Sequence, residues 1–182
     1  MSIHCSVYSA VSVDGFIAKP DGDIEWLHNP HYAGATLNGL DYESFIATVD
    51  TLVMGRHSYE KVRSFGFWPY DNIPVIVLTS RPLTVPPELE GKISVENCAP
   101  ERLVSKLAEQ GRQHLYIDGG ATIQRFLTAG LINEITLTQI PVLLGAGISL
   151  FGDSGIESSL QLISADSSDN GFVQCRYTVK GC

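Results

Sequence analysis

Short apolar runs alternate with helix-period segments through most of this sequence, and that alternation most limits what the chain can fold into. Residues 3–13 (IHCSVYSAVSV), 51–54 (TLVM), 74–78 (PVIVL), 93–95, 114–117 and 134–140 read as strands. Between them lie helix patterns. Tyr42, Phe45, Ile46 and Val49 follow the i, i+3, i+4, i+7 rule from Asp41 onward. A second helix is expected from Arg56 to about Phe65. A third spans 100–110, with Leu103, Val104, Leu107 and Ala108 on one face and Gly111 as its stop. A fourth spans 121–129 and ends at Gly130. Strands apolar along their whole length must be covered on both faces, so the pattern predicts a parallel sheet with crossover helices. The last two runs, 159–165 and 172–179, flank Asp169-Asn170-Gly171, a hairpin signal. The expected fold is α/β, in three layers, with a mostly parallel central sheet and an antiparallel C-terminal hairpin. No repeat or linker divides it, so one domain is expected over 1–182.

A chain of 182 residues buries roughly 70% of its unfolded surface on folding and needs no metal or disulfide staple. Its net charge of −8 argues against nucleic acid, whose phosphates demand clustered Lys and Arg. Any phosphate site must be built locally from a few arginines and backbone N–H groups. Cys5, Cys98, Cys175 and Cys182 form no C-x-x-C pair. With His4, His28, His31, His57 and His114 they show no metal-ligand spacing. Reduced thiols, no metal and a cytoplasmic location are expected. The N-terminus runs directly into a strand without a signal-peptide pattern, and no apolar run reaches membrane-helix length.

Three turns follow predicted strands: Gly55-Arg56-His57-Ser58, Thr79-Ser80-Arg81, and Asp118-Gly119-Gly120-Ala121-Thr122. In an open parallel sheet, ligands bind beyond the carboxyl ends of the strands. Helix N-termini there present unpaired N–H groups to phosphates, and glycine lets the backbone approach closely. Gly119-Gly120 opening a helix suits a pyrophosphate. No G-x-G-x-x-G follows the first strand, so the dinucleotide fingerprint of a Rossmann domain is missing. Arg56 and Arg81 both lie just past strand ends, where charge-assisted hydrogen bonds could hold an additional phosphate. Residues 15–40 read as irregular and contain Trp26.

Met54-Gly55-Arg56-His57-Ser58-Tyr59-Glu60 resembles the M-G-R-x-[ST]-[YW]-E stretch of dihydrofolate reductases. Val13-Asp14-Gly15-Phe16-Ile17 followed by Trp26 resembles the family's first strand end and mobile loop. Leu78-Thr79-Ser80-Arg81 and Asp118-Gly119-Gly120 are similar to its cofactor-phosphate turns. Leu131-Ile132-Asn133-Glu134-Ile135 and Pro141-Val142-Leu143-Leu144-Gly145-Ala146-Gly147, ending in Phe151, look like the riboflavin-pathway reductase branch and its stand-alone bacterial relatives. The resemblance implies an NADPH-dependent reductase that passes a hydride to a polarised C=N or C=O carbon of a small heterocycle. It implies cofactor contacts at Ala10, Ile17, Gly55, Arg56, His57, Ser58, Thr79, Ser80, Arg81, Gly119, Gly120, Ala121 and Thr122. Trp26 and Phe45 would stand beside the substrate, and a homodimer is implied.

Two departures bear on the substrate. Folate reductases carry a carboxylate soon after the loop Trp, whereas here no acid follows Trp26 until Asp41 and Glu43. Asp41 is the candidate proton source or substrate anchor, although acids in a first helical turn also serve the helix dipole. The segment 66–73 (GFWPYDNI) contains no cation to hold a folate glutamate. The zinc deaminase pattern of the bifunctional riboflavin enzyme is also missing, which implies a lone reductase. Two alternatives are a protein that binds NADPH without turnover and a true dihydrofolate reductase.

Overall fold

Leu52, Val53 and Met54 are completely buried, because side chains on both faces of their strand meet a layer of helices. The computed structural model describes residues 2–34 and 36–181; Cys182 lies outside the described residues. The strands are β1 (His4–Ser12), β2 (Phe16–Ala18), β3 (Thr51–Gly55), β4 (Val75–Leu78), β5 (Ile93–Glu96), β6 (His114–Asp118), β7 (Glu134–Ile140), β8 (Ile148–Ser149), β9 (Ser159–Ser167) and β10 (Val173–Lys180). The helices are α1 (Tyr42–Ile46), α2 (Arg56–Arg63), α3 (Pro100–Glu109) and α4 (Gly120–Thr128).

Eight strands form one sheet in the order β5-β4-β3-β6-β1-β7-β10-β9. From β5 to β7 every pairing is parallel, and β10 returns antiparallel to β7 and β9. The sheet therefore has the predicted character. At the hairpin, Gly171 N–H donates to Ser168 O (2.9 Å) and Ser168 N–H to Phe172 O (2.9 Å). Gly171 has φ +89°, a conformation that favours glycine. One face of the sheet packs Val7, Val53 and Ile117 against Leu103 and Leu107 of α3 and Ile123 and Phe126 of α4. The other packs Leu52, Met54, Val77 and Tyr116 against Phe45 of α1 and Tyr59 of α2. Cys5, Cys98 and Cys175 are free thiols. No described helix is long and apolar enough to cross a membrane.

Residues 15–34 are more ordered than their composition suggests. β2 pairs with β8 in a separate two-stranded sheet, and two 3-10 turns follow at Glu25–His28 and Pro30–Tyr32. Such short strands carry too few residues to show a period; distant contacts define them. The Asp14 carboxylate accepts from Ser12 Oγ (2.6 Å), Leu144 N–H (3.1 Å) and Gly145 N–H (2.8 Å). These bonds, Ser12 foremost, hold its carboxyl below the usual range. Further along, the buried Gln174 side chain accepts from Leu40 N–H (2.7 Å) and donates to Leu40 O (2.9 Å). The segment leading into α1 is thereby pinned to β10.

The starts of α2 and α4 nearly touch. A Cβ on Gly55 would sit 2.7 Å from Thr122 Oγ1, and one on Gly119 (φ +89°) would collide with Ser58 Oγ. Gly55→Ala is therefore expected to destabilise the fold by about 1–3 kcal/mol through overpacking. Thr122→Ala in the same chain should return part of that loss, read as coupling in a urea double-mutant cycle. Additive losses would show that the two turns are free to move apart.

A second expectation concerns the opposite end of the sheet. His114 Nδ1 faces the Thr48 carbonyl (2.9 Å) and Nε2 faces Ser6 Oγ (2.8 Å). A carbonyl only accepts, so Nδ1 carries the proton and Nε2 accepts from the serine hydroxyl. Burial first, opposed by the Thr48 bond and aided by nearby His4, lowers the His114 pKa. The unfolded chain thus takes up this proton more readily than the folded one. The stabilisation is complete above the ordinary histidine range and is lost as pH falls through it. Urea unfolding from pH 7 to pH 5 should show this decline, and His114→Gln should make it shallower.

Candidate cofactor and substrate site

The parallel strands β1, β3, β4 and β6 end along one edge of the sheet, and the three predicted turns extend from that edge. Local contacts join them. Arg56 Nη1 donates to Pro82 O (3.0 Å), tying the first turn to the loop after β4. The Gly55–Thr122 and Gly119–Ser58 approaches tie the first turn to the third. A Cβ on Gly120 would lie 3.2 Å from Ile17 Cδ1 and 3.1 Å from Ser149 O, so β2 and β8 lie over the start of α4. Ile17, Gly55, Ser58, Gly119, Gly120 and Thr122 are thus gathered at one place. Neither α2 nor α4 has a side-chain cap at its start, so the first N–H groups of both keep their donor capacity for a ligand.

Positive charge collects beside this junction. Arg56 Nε donates to Glu60 Oε1 (2.7 Å). The Glu60 carboxyl is held below its usual range by Arg56 first, with His57 and Arg81 contributing. His57 and Arg81 are exposed. Arg81 N–H donates to Thr79 Oγ1 (3.2 Å), which shapes the 79–81 turn. Thr79 and Ser80 line a cavity of about 210 Å³ together with Glu96, Asn97, Cys98 and Arg125. Ala121 is exposed and lines a larger groove of about 560 Å³ on the outer face of α4, with Gln124, Arg125 and Asp153. Ala10 is partly buried on β1, on the face that also carries Tyr8.

On the other side of the sheet edge the side chains are aromatic. Phe45 is buried, stacked on Tyr8 (ring centroids 4.7 Å, 19°) and edge-on to Tyr116 (5.0 Å). It therefore supports this region from beneath. Trp26 is partly buried in the turn Glu25–His28, with its Nε1 enclosed and without a hydrogen-bond partner. Asp41 caps α1: its carboxylate accepts from Ser44 N–H (2.8 Å) and Ser44 Oγ (2.9 Å). Those bonds, the backbone one foremost, lower its pKa, and the side chain is exposed. Such a carboxylate stays ionised at neutral pH and is a poor proton donor.

Asp118 is the residue that sequence reasoning passed over. It is the last residue of β6 and shares a face with Tyr116. Its side chain is densely surrounded yet keeps some solvent exposure. Burial pushes its carboxyl up to about 6, against the pull of the Gly119 N–H. The available signal was an acid closing a buried strand immediately before Gly119-Gly120.

Comparison with known proteins gives the family. The RibD C-terminal domain family matches residues 4–174. The uncharacterised protein YwjB of Bacillus subtilis strain 168 is 35% identical over 158 residues, 86% of this chain and 87% of its own. A crystal structure from Shewanella sp. PV-4, provisionally assigned to riboflavin biosynthesis, superposes with a TM-score of 0.87 at 36% identity, covering 98% of this chain and 99% of that one. RibD of Acinetobacter baumannii shares the fold at a TM-score of 0.73 and 18% identity, and this chain spans 58% of its length. The chain belongs to the RibD C-terminal domain family.

Proposed function

We propose that this protein is an NADPH-dependent reductase acting on a small heterocycle. The observation that carries the proposal is the meeting of two uncapped helix starts over Gly55, Gly119 and Gly120, with Arg56, His57 and Arg81 grouped alongside. Backbone N–H groups there suit a pyrophosphate. Arg56 and Arg81 suit a 2′-phosphate, with Glu60 holding Arg56 in place. The glycines matter because a Cβ at Gly55 or Gly119 would fill the junction. Bound NADPH supplies a hydride to a C=N or C=O carbon.

The rest of the work falls to this chain's residues. Ile17 and the β2–β8 pair shield the junction. Asp118 holds the proton that the substrate nitrogen or oxygen takes up as the C–H bond forms. Its raised pKa keeps part of the population protonated near neutrality, a role that Asp41, engaged with Ser44, fills less well. True folate reduction is disfavoured because residues 66–73 offer no cation.

Two measurements test this reading. In calorimetric titrations, Arg56→Ala should weaken NADPH binding by about tenfold, the low end for a hydrogen bond to a charged group, and leave NADH binding unchanged. Equal losses for both cofactors would show that Arg56 does not read the 2′-phosphate. On a substrate that is turned over, kcat should fall as pH rises through about 6, where Asp118 ionises. Asp118→Asn should lower kcat and remove that limb. NADPH binding with no oxidation across a heterocycle panel would instead support the cofactor-binding protein without turnover.

A further inference from the structure

At the aromatic end of the site, the Asp118 carboxyl has no ion-pair partner among the described residues. Tyr8 meets Tyr42 edge-on at 5.8 Å, and Trp68 meets Tyr70 at 5.4 Å. The Trp68 Nε1 is buried with no hydrogen-bond partner. Asp118 lies close enough for its charge to act on the hydroxyls of Tyr42, Tyr70 and Tyr116.

The segments that carry the aromatics repeat this bias. Residues 20–45 contain Asp21, Asp23, Glu25, Asp41 and Glu43 and no Lys or Arg. Lys19, just before them, is paired with Asp23 at 3.0 Å. Residues 66–73 contain Asp71 and no cation, and Lys92 is engaged by Asp71. Arg56, at the cofactor end, is held by Glu60 and Pro82 O.

We infer that the substrate is a flat, uncharged or cationic heterocycle that carries no phosphate or carboxylate arm, stacks among Tyr8, Tyr42, Trp68 and Tyr70, and turns an N–H edge toward Asp118. The inference rests on the reductase reading above and narrows it. An anionic arm would shed water here without gaining a charge-assisted bond, and it would face a carboxyl group. A planar ring gains from the aromatic faces, and its N–H groups satisfy Asp118. The site thus separates two charge classes by place: phosphates at the helix starts, a phosphate-free ring beyond them.

The test is equilibrium binding to the NADPH-loaded protein, followed by tryptophan fluorescence and calorimetry. Two matched pairs serve: a dihydropterin without a glutamate tail against dihydrofolate, and a ribosylaminopyrimidine against its 5′-phosphate. In each pair the arm-free member should bind about tenfold or more tightly, and Asp118→Asn should shrink that ratio. Equal or tighter binding of the anionic member overturns the inference, as does failure of both arm-free rings to bind. Either result with intact NADPH binding leaves the reductase reading standing, whereas loss of NADPH binding itself would remove that reading.

Discussion

The close approach of two helix starts, α2 at Gly55 and α4 at Gly119-Gly120, is the constraint on which the rest of the site depends. It exists because β3 and β6 are neighbours in a parallel sheet, paired from Thr51↔Leu115 to Met54↔Asp118. Parallel pairing puts both strand ends at the same edge, and each strand runs straight into its helix. The two helix starts then compete for one space. Glycine resolves that competition, since any Cβ at Gly55 or Gly119 would meet Thr122 or Ser58. The same parallel arrangement brings unsatisfied N–H groups of two helices to one point, which no single helix could supply.

Around this junction the protein sorts its charges. The chain's net charge is −8, yet Arg56, His57 and Arg81 gather around Glu60 at this edge. Across the sheet edge the opposite arrangement holds, with Asp118 beside tyrosines and, among the described residues, in no ion pair. Its raised pKa follows from burial that the Gly119 N–H offsets only in part. The two halves of the site are thus chemically distinct although the strands that carry them, β3 and β6, are adjacent.

Beside the aromatic end of the site the scaffold contributes rigidity by different means. Gln174, fully buried, is bonded to both backbone groups of Leu40 and to Thr138 Oγ1. Tyr8 also donates to Leu40 O (2.8 Å). These bonds fix the entry into α1 and with it the positions of Tyr42 and Phe45. Asp14 does the same for the loop over α4 by joining the 12–16 turn to Leu144 and Gly145.

Strands, helices and the terminal hairpin were legible in the sequence because each is written in a local period or a turn dipeptide. PVIVL, the helix face of Leu103 and Leu107, and Asn170-Gly171 need no partner to be recognised. The glycines and arginines just past the strand ends are legible in the same way, and the fold gathers Gly55, Gly119 and Gly120 at one edge of the sheet. Partner-dependent features were not. β2 and β8 are too short to show a period and exist through Asp14 and their mutual pairing. Asp41 and Asp118 are both plain acids in the sequence, and chain position pointed to the first. Tertiary packing separated them: Asp41 faces solvent and caps a helix, while Asp118 is half-buried at a strand end and, among the described residues, in no ion pair. A carboxyl group's chemistry is set by what surrounds it in space, and that is what local sequence cannot encode.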